Sequence, residues 1–573
     1  MKLNEALAIN NSRKTGGPRK LHYLACSFEP LHLTTLFRAH LVQRLPEDDV
    51  EVVSGVYGDL QGNLALAAES QAVAAAVVLE WSDVDPRLGL RSSGGWSAAA
   101  KTDIVATVQQ RFERLEAVFG RLAARMPVAL AAPSLSLPPI GNTIRAQQSV
   151  LELELHQQLA SFLLRLAKIP GVRIVHPVPA DATEKRLDPK MELLAGFPYT
   201  VPFASALAAS LVSVLWQAAP KKGLITDLDD TLWSGIVGEA GIDGVTWHQE
   251  SHTQTHGLYQ QMLGHLAACG VLLAVCSKNE LATVESALAR KDLFLESNSL
   301  FPVCANWEPK SKSIARILRA WNIAEDAVVF IDDSPMELEE VQQAFPGITC
   351  IRFSGKDPAK VWDLLGELRD LFGKPLLMEE DRLRQASLRA SAELQEMGEA
   401  AASPEFLQGL QGTVTLDWRL DPADKRPLEL INKTNQFNLN GKRIGEGEWQ
   451  QLLAKPETLL AVVSYTDKFG PLGKVAVLAG SLQDRVIRVS HWVMSCRAFS
   501  RRLEHHTLQG LLSRFPAATE LEFDFAATEK NGPLREFFRS LEASPDGAGL
   551  VRISRAAFES QCGLLPHQVK DLT

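Results

Sequence analysis

Short apolar runs alternate with long amphipathic stretches through the first two thirds of the chain, and this alternation leaves few folds open. From Leu21 to about Trp216 the runs are "LHYLACSF", "DVEVVSGVY", "AAAVVLEW", "PVALAAPSL" and "VRIVHP", parted by stretches such as "DIVATVQQRFERLEAVFGRLAARM". Strands alternating with helices build a mostly parallel sheet covered on both faces. The pattern repeats from Lys221 to Phe372, with "GLITD", "VLLAVCS", "AVVFIDD" and "ITCIRF" as strands and "KSKSIARILRAW" and "ELEEVQQAF" as helices. Two doubly wound α/β domains in succession are therefore expected, over residues 21–216 and 221–372. At 573 residues the chain is too long for one core, because single cores stop growing near ~250–300 residues.

The remaining segments read differently. Residues 1–20 carry a short basic piece and are expected as a flexible N-terminus. Residues 373–411 interleave Glu and Arg among alanines and read as a helical connector. Beyond them "GTVTLDWRL", "LLAVVSYTDK", "GKVAVLAGSL", "RVIRVSHWVMSC" and "ELEFDFAAT" are strand-like, with the helical "RRLEHHTLQGLLSRF" between the last two. Residues 412–573 thus predict an α+β domain with a largely antiparallel sheet.

Composition excludes several function classes. A formal charge of −9 disfavours nonspecific binding to nucleic acid, which needs clustered Lys and Arg. No window approaches the ~18 uncharged apolar residues of a membrane span, and the N-terminus lacks the apolar core of a secretory leader. Seven cysteines without CxxC spacing suit a reducing, cytoplasmic setting. The expected partners are small molecules and proteins.

The chemistry concentrates in "GLITDLDDTLWSG". Ligands of a parallel sheet sit beyond the carboxyl ends of its strands. Asp227 and Asp229 lie there, and "AVVFIDDSP" brings Asp332 and Asp333 to the end of another strand. Four acids converging on one crevice call for a divalent cation, and hard oxygen ligands with room for water and phosphate favour Mg²⁺. Ser277 ends "VLLAVCS" and Lys310 opens a helix, so a hydroxyl and an ammonium are available to hold a transferring phosphate. One carboxylate attacking phosphorus and a second serving as acid and base give covalent catalysis.

The motifs "DLDDT", "VCS", "PKSKS" and "IDDS" resemble those of the haloacid dehalogenase superfamily. The resemblance implies Asp227 as nucleophile, Asp229 as general acid and base, Ser277 and Lys310 on the phosphate, and Asp332 or Asp333 with Asp227 and Asp229 at the metal. Asp230 fits no such role and reads as a cap or loop residue. "DLDDTLWSGIVGEAG", "VCSKN", "NWEPKS", "FIDDSP", "LINKTNQFNLNGKR" and "WVMSCRAFSRRLEHH" together are similar to the FkbH-like branch of that superfamily, over nearly the whole chain. This narrower resemblance implies an SGNH-hydrolase-like first domain, a phosphatase-like second and a third similar to the GNAT acyltransferases. It also implies a function: dephosphorylation of an acyl phosphate, 1,3-bisphosphoglycerate, with the glyceryl unit loaded on the phosphopantetheine thiol of an acyl carrier protein. A simple small-molecule phosphatase and a carrier-binding scaffold are the alternatives.

Acyl transfer from a mixed anhydride suits a thiol relay, and two cysteines can supply it. Cys276 precedes Ser277 within a strand-like run; Cys496 ends a strand beside Arg497, at the start of what resembles the pantetheine-cradling helix of GNAT proteins. There "RAFSRR" has Ser500 and Arg502 where the GNAT loop carries glycines, leaving Arg497, Arg501 and Arg502 to hold a phosphate by charge. In "NKTNQFNLNGKR" the side chains of Asn432, Thr434, Asn435, Gln436 and Asn438 either orient a hydroxylated acyl group or carrier arm, or bond within a loop. In the first domain Ser27, Gly58 and Asn142 fall where an SGNH nucleophile and oxyanion donors would. The region that should supply the Asp and His pair has Asp181 and Asp188 but no histidine, and His176 lies too early, so this domain is expected to be inactive and to dock the carrier; the loop Leu79 to Trp96, bearing Trp81 and Trp96, reads either as a recognition surface or as an aromatic-anchored lid on its own core.

Overall fold

The computed structural model describes residues 1–12, 16–92, 95–96, 103–178, 185–374, 404–422, 424–468, 470–495, 498–499, 501–546 and 549–572, with the backbone alone of 404–406. They form two compact units, residues 1–218 with 445–451, and residues 219–444 with 452–573.

The first unit is built on five strands, β1 (Arg19–Ala25), β2 (Asp49–Ser54), β3 (Ala74–Val78), β4 (Val128–Ala131) and β5 (Val172–Ile174). All pair in parallel in the order β2-β1-β3-β4-β5. Strands buried on both faces need apolar residues at every position, and β3, Ala-Ala-Ala-Val-Val, is fully buried. Two apolar clusters cover the sheet. One gathers the helices Leu60–Glu69, Ile104–Ala123 and Val150–Leu166, the other Leu31–Arg44 and Val201–Leu215. The flexible start expected over residues 1–20 is corrected here. Leu3–Asn11 is a helix with Ala6 buried in the core, and β1 begins at Arg19. Its one charged residue, Glu5, is exposed while Ala6 and Ile9 meet the first unit's core, a short amphipathic pattern.

The second unit carries two sheets. The middle one comprises β6 (Gly223–Thr226), β7 (Leu272–Ser277), β8 (Leu300–Ala305), β9 (Val328–Asp332) and β10 (Thr349–Arg352), all parallel, in the order β10-β9-β6-β7-β8. Apolar clusters again lie on both faces. The chain order jumps across β6, so the ends of β6, β7 and β9 share one crevice.

The last sheet is mixed. Its strands are β11 (Thr413–Asp417), β12 (Phe437–Asn438), β13 (Thr458–Asp467), β14 (Gly470–Gln483), β15 (Val486–Met494), β16 (Glu520–Asp524), β17 (Leu550–Ser554) and β18 (Gln568–Leu572). They run β17-β16-β15-β14-β13-β11-β18, with β12 paired to β15. Only β11 with β18 and β15 with β16 pair in parallel. Trp492, Phe437, Phe523 and Phe537 centre its core. Of the connector expected over 373–411, residues 375–403 lie outside the described residues; a helix, Pro404–Gly409, follows. No helix among the described residues is long and apolar enough to cross a membrane.

Candidate active site

At the carboxyl end of the middle sheet, Asp227 follows β6, Ser277 ends β7, Asp332 ends β9, and Lys310 opens the helix Lys310–Trp321. Asp227, Ser277, Lys310 and Asp332 are all buried. Lys310 Nζ lies 3.0 Å from Asp227 Oδ1 and 2.5 Å from Asp332 Oδ2, and it also pairs with Glu337. Glu337 sits in the first turn of the helix Pro335–Ala344 and takes a second cation, Lys278, at 2.9 Å.

These charges set one another. Burial raises the carboxyls of Asp227 and Asp332 above the ordinary range, and the charge of Asp227 pushes Asp332 up further. Burial works against the Lys310 ammonium, but Asp227, Asp332 and Glu337 outweigh it and hold it protonated. For Glu337 burial is outweighed in turn by Lys310 and Lys278, which lower it.

The ligand oxygens of Asp227, Asp332 and Glu337 all lie within 4.8 Å of one another. Asp227 Oδ1 is buried yet makes no hydrogen bond, so the Lys310 contact is an ion pair off the bonding direction. An orphaned carboxylate oxygen beside two more acids fits a hard divalent cation. The metal set expected from the sequence changes accordingly. Asp229 and Asp333 lie outside this cluster and Glu337 joins it. The Asp229 carboxylate is engaged by other donors: Oδ1 accepts from Trp233 Nε1 at 2.9 Å and Val237 N at 3.0 Å, and Oδ2 from Asn279 Nδ2 at 2.8 Å. Asn279 Nδ2 also lies 3.1 Å from Ser277 Oγ, so one amide fixes both groups. Asp333 is half-buried, its carboxyl raised by burial and by Asp332. Asp230 adopts a left-handed backbone, φ 49°, and accepts from Gly235 N at 2.9 Å, a loop role.

Cys276 does not share the crevice. Successive strand residues point to opposite faces, and Cys276 packs among Ile225, Ala274, Ile314 and Ile317 with Sγ toward Lys310 O at 3.7 Å. Burial pushes its thiol up, away from the nucleophilic thiolate. The catalytic role expected for Cys276 is replaced by that of a core residue. Cys496 and Arg497 lie outside the described residues, as do Ser500 and Asp181.

The amide-rich segment is largely bonded within itself. Asn432 Nδ2 donates to Ile444 O and its Oδ1 accepts from Ile444 N; Asn438 Nδ2 donates to Thr434 O while Oδ1 accepts from Asn440 N and Gly441 N. Asn435 Oδ1 accepts from Arg443, and Gln436 exchanges both amide bonds with Asn322, at 3.0 and 3.3 Å. Contact with an acyl group or carrier arm, expected for Asn432, Asn435, Gln436 and Asn438, is thus not what consumes these hydrogen bonds. Arg501 is buried with Asp467, and Arg502 donates to Leu564 O, so neither reads as a free phosphate holder.

In the first unit the segment after β3 buries three acids that sequence reasoning missed, Glu80, Asp83 and Asp85, the last paired with Arg87. Glu80 Oε1 accepts from Tyr199 Oη at 2.6 Å and Ser134 Oγ at 2.7 Å, and burial pushes its carboxyl up to about 7. Asp83 Oδ2 accepts from Glu80 N at 2.7 Å, the Ser27 hydroxyl lies beside it, and burial raises it to about 6. His176 is exposed with Nδ1 at Pro177 O, and Asp188 caps its own helix through Lys190 N and Met191 N. Trp81 is a core residue and Trp96 is exposed.

No protein-family model matches the chain, and no curated protein does. Among solved structures, the N-terminal part of the protein BF1531 from Bacteroides fragilis, containing a phosphatase domain complexed with Mg, is similar over 66% of this chain and 100% of its own. Identity is 20% and the TM-score 0.52, a likeness of fold. A putative acetyltransferase of the GNAT family from Desulfovibrio desulfuricans covers 25% of this chain and 98% of its own at 13% identity and a TM-score of 0.20, too low to carry an argument.

Proposed function

We propose that this chain is a magnesium-dependent phosphoryl-transfer enzyme of the haloacid dehalogenase type in which Asp227 is the nucleophile. The observation that carries the reading is the Asp227 Oδ1 atom, buried and without a hydrogen bond, beside Lys310, Asp332 and Glu337. Support comes also from the fold shared with a phosphatase-containing structure that holds Mg. Asp227 attacks phosphorus, the leaving oxygen departs with a proton from Asp229, and Asp229 then takes a proton from the water that hydrolyses the aspartyl phosphate. Trp233, Val237 N and Asn279 fix the Asp229 carboxylate for that exchange. Ser277 and Lys310 hold the phosphoryl oxygens. A magnesium ion on Asp227, Asp332 and Glu337 would supply further charge neutralisation to the phosphate.

The substrate follows from the FkbH-like resemblance: 1,3-bisphosphoglycerate, with the glyceryl unit passing to the thiol of an acyl carrier protein. Attack by Asp227 on the anhydride phosphorus would release an unactivated carboxylate. Asp227 is therefore assigned to the phosphate ester, and the anhydride phosphate leaves when the carrier thiol attacks the carbonyl carbon. One bisphosphoglycerate, one carrier thiol and one water then yield one glyceryl thioester and two phosphates. With Cys276 in the core, direct attack by the carrier thiol is favoured over a relay at this crevice.

Intact-mass spectrometry of a carrier protein incubated with enzyme, magnesium and 1,3-bisphosphoglycerate tests this. A glyceryl mass gain with two phosphates released per loaded carrier is expected. Phosphate release without mass gain reduces the reading to a small-molecule phosphatase, and release that persists in Asp227→Asn overturns it.

A further inference from the structure

A cavity of about 710 Å³ lies in the second unit at the opposite, amino end of the middle sheet. Lys222 before β6, Leu272 at the start of β7 and Ala327 before β9 line it, together with Trp321 and Asn322 at the end of the helix that Lys310 opens. The facing wall is the helix Arg426–Lys433, the amide-rich segment, and Met494, Ser495 and Lys530. β6 is four residues long, so at about 3.3 Å per residue the cavity floor and Asp227 are on the order of 13 Å apart. A small molecule held there does not touch the phosphoryl-transfer crevice.

The charges in this cavity do not cancel. Five lining residues are cationic against three carboxylates. Glu429 is spent on Arg426 and Lys433, both at short range. Arg443 donates to Ile431 O, Thr434 O and Asn435, none of them a carboxylate, and Lys530 has no carboxylate partner among the described residues. Arg426 adds a second, independent sign. It is 6% exposed, and its Nε is buried with no hydrogen-bond acceptor. A buried guanidinium donor left unmatched in a cavity with surplus positive charge points to an anion that supplies the acceptor. Trp321, Ile323, Leu430 and Met494 give the same cavity an apolar portion, and its size suits an organic molecule rather than a bare ion.

We propose that this cavity binds an organic phosphate ester, its phosphate met by Arg426, Arg443 and Lys530 and its carbon skeleton laid over Trp321, Ile323 and Met494. The site stands independently of whether Asp227 transfers phosphate. Two sources share this chemistry, a phosphorylated metabolite and the phosphopantetheine arm of a carrier protein.

Titration calorimetry on the full chain carrying Asp227→Asn, in EDTA so that no metal holds phosphate at the crevice, separates them with two probes, 3-phosphoglycerate and 4′-phosphopantetheine. Saturable binding of either, weakened about tenfold by Lys530→Met as one charge-assisted contact is lost, supports the site. The tighter probe names the source. Lys530 is exposed, so its replacement leaves the fold unchanged. Failure of both probes to bind, affinity indifferent to Lys530→Met, or inorganic phosphate binding as tightly as both overturns the proposal.

Discussion

The first and the middle sheet each bury carboxylates just beyond a strand's carboxyl end, and they neutralise them in opposite ways. Glu80 in the first is surrounded by hydrogen-bond donors, Tyr199 and Ser134, and burial drives it toward the protonated form. Asp227, Asp332 and Glu337 in the middle share a buried ammonium, Lys310, and Asp227 Oδ1 faces it as an ion pair without a hydrogen bond. An unmatched oxygen alone does not separate the two, since Asp83 Oδ1 beside Glu80 is also buried without a hydrogen bond; a buried cation shared among acids marks the place where a ligand changes the energy. Burial of acids alone therefore does not mark a site; the state of their partners does.

That contrast can be broken at several points. The largest effect belongs to Asp227→Asn, which keeps the shape and removes the oxygen proposed to attack phosphorus. Phosphate release should fall about 10³-fold or more, measured with a coupled phosphate assay. Next, Lys310→Met leaves three buried carboxylates without their cation. Removing one partner of a buried pair costs about 3–5 kcal/mol, seen as a lower urea midpoint in EDTA that magnesium restores in part.

The acid of the first sheet should respond to pH instead. The folded chain holds the Glu80 proton up to about 7, while the unfolded carboxylate, near 4.5, gives it up. Stability of that region therefore falls as pH rises from about 4.5 through about 7, by roughly 3 to 3.5 kcal/mol, and Glu80→Gln should flatten the fall. Hydrogen exchange in β3 at pH 5 and pH 8 reads it, and an equal slope in the variant would remove the contrast.

Smaller effects sharpen the assignment of positioning groups. Asn279→Ala frees one side of Asp229 and should lower kcat about tenfold with little change in KM, short of the ~10²–10⁴ a general acid supplies. A loss confined to KM would make Asn279 a binding residue. Smallest of all, Ser27→Ala should leave carrier loading within about twofold, since no histidine accompanies Ser27 and its neighbour Asp83 already accepts a backbone hydrogen.

The strand-ending acids Asp227 and Asp332 were legible because a parallel sheet gives its carboxyl ends a fixed meaning, and the same rule reached Ser277 and Lys310. Glu337 was not, because an acid in a helix's first turn is what any helix favours, and "PMELEE" offers three. Trp233 and Asn279 escaped for another reason: they act through Asp229, and only side-chain geometry shows that. The amides of 432–438 misled in the other direction. Their density suggested a ligand, while the chain uses most of them to bond irregular backbone that no strand or helix ladder serves. Helix Leu3–Asn11 was hidden by its brevity, with Ala6 as its single fully buried residue.

One feature of β7 has a practical reach. Cys276 and Ser277 are neighbours in sequence, yet the two-residue period of a strand sends the first into the core and the second beside Asp227. Labelling of the Cys276 thiol will therefore report on breathing of the apolar layer rather than on occupancy of the crevice. A reporter for occupancy belongs one step along: Ser277→Cys in a background with Cys276 and the other six cysteines replaced carries the sulfur to the phosphate side without lengthening the chain. The adjacency that makes the natural cysteine look chemically involved is what lets an experimenter move the probe from one compartment to the other by a single position.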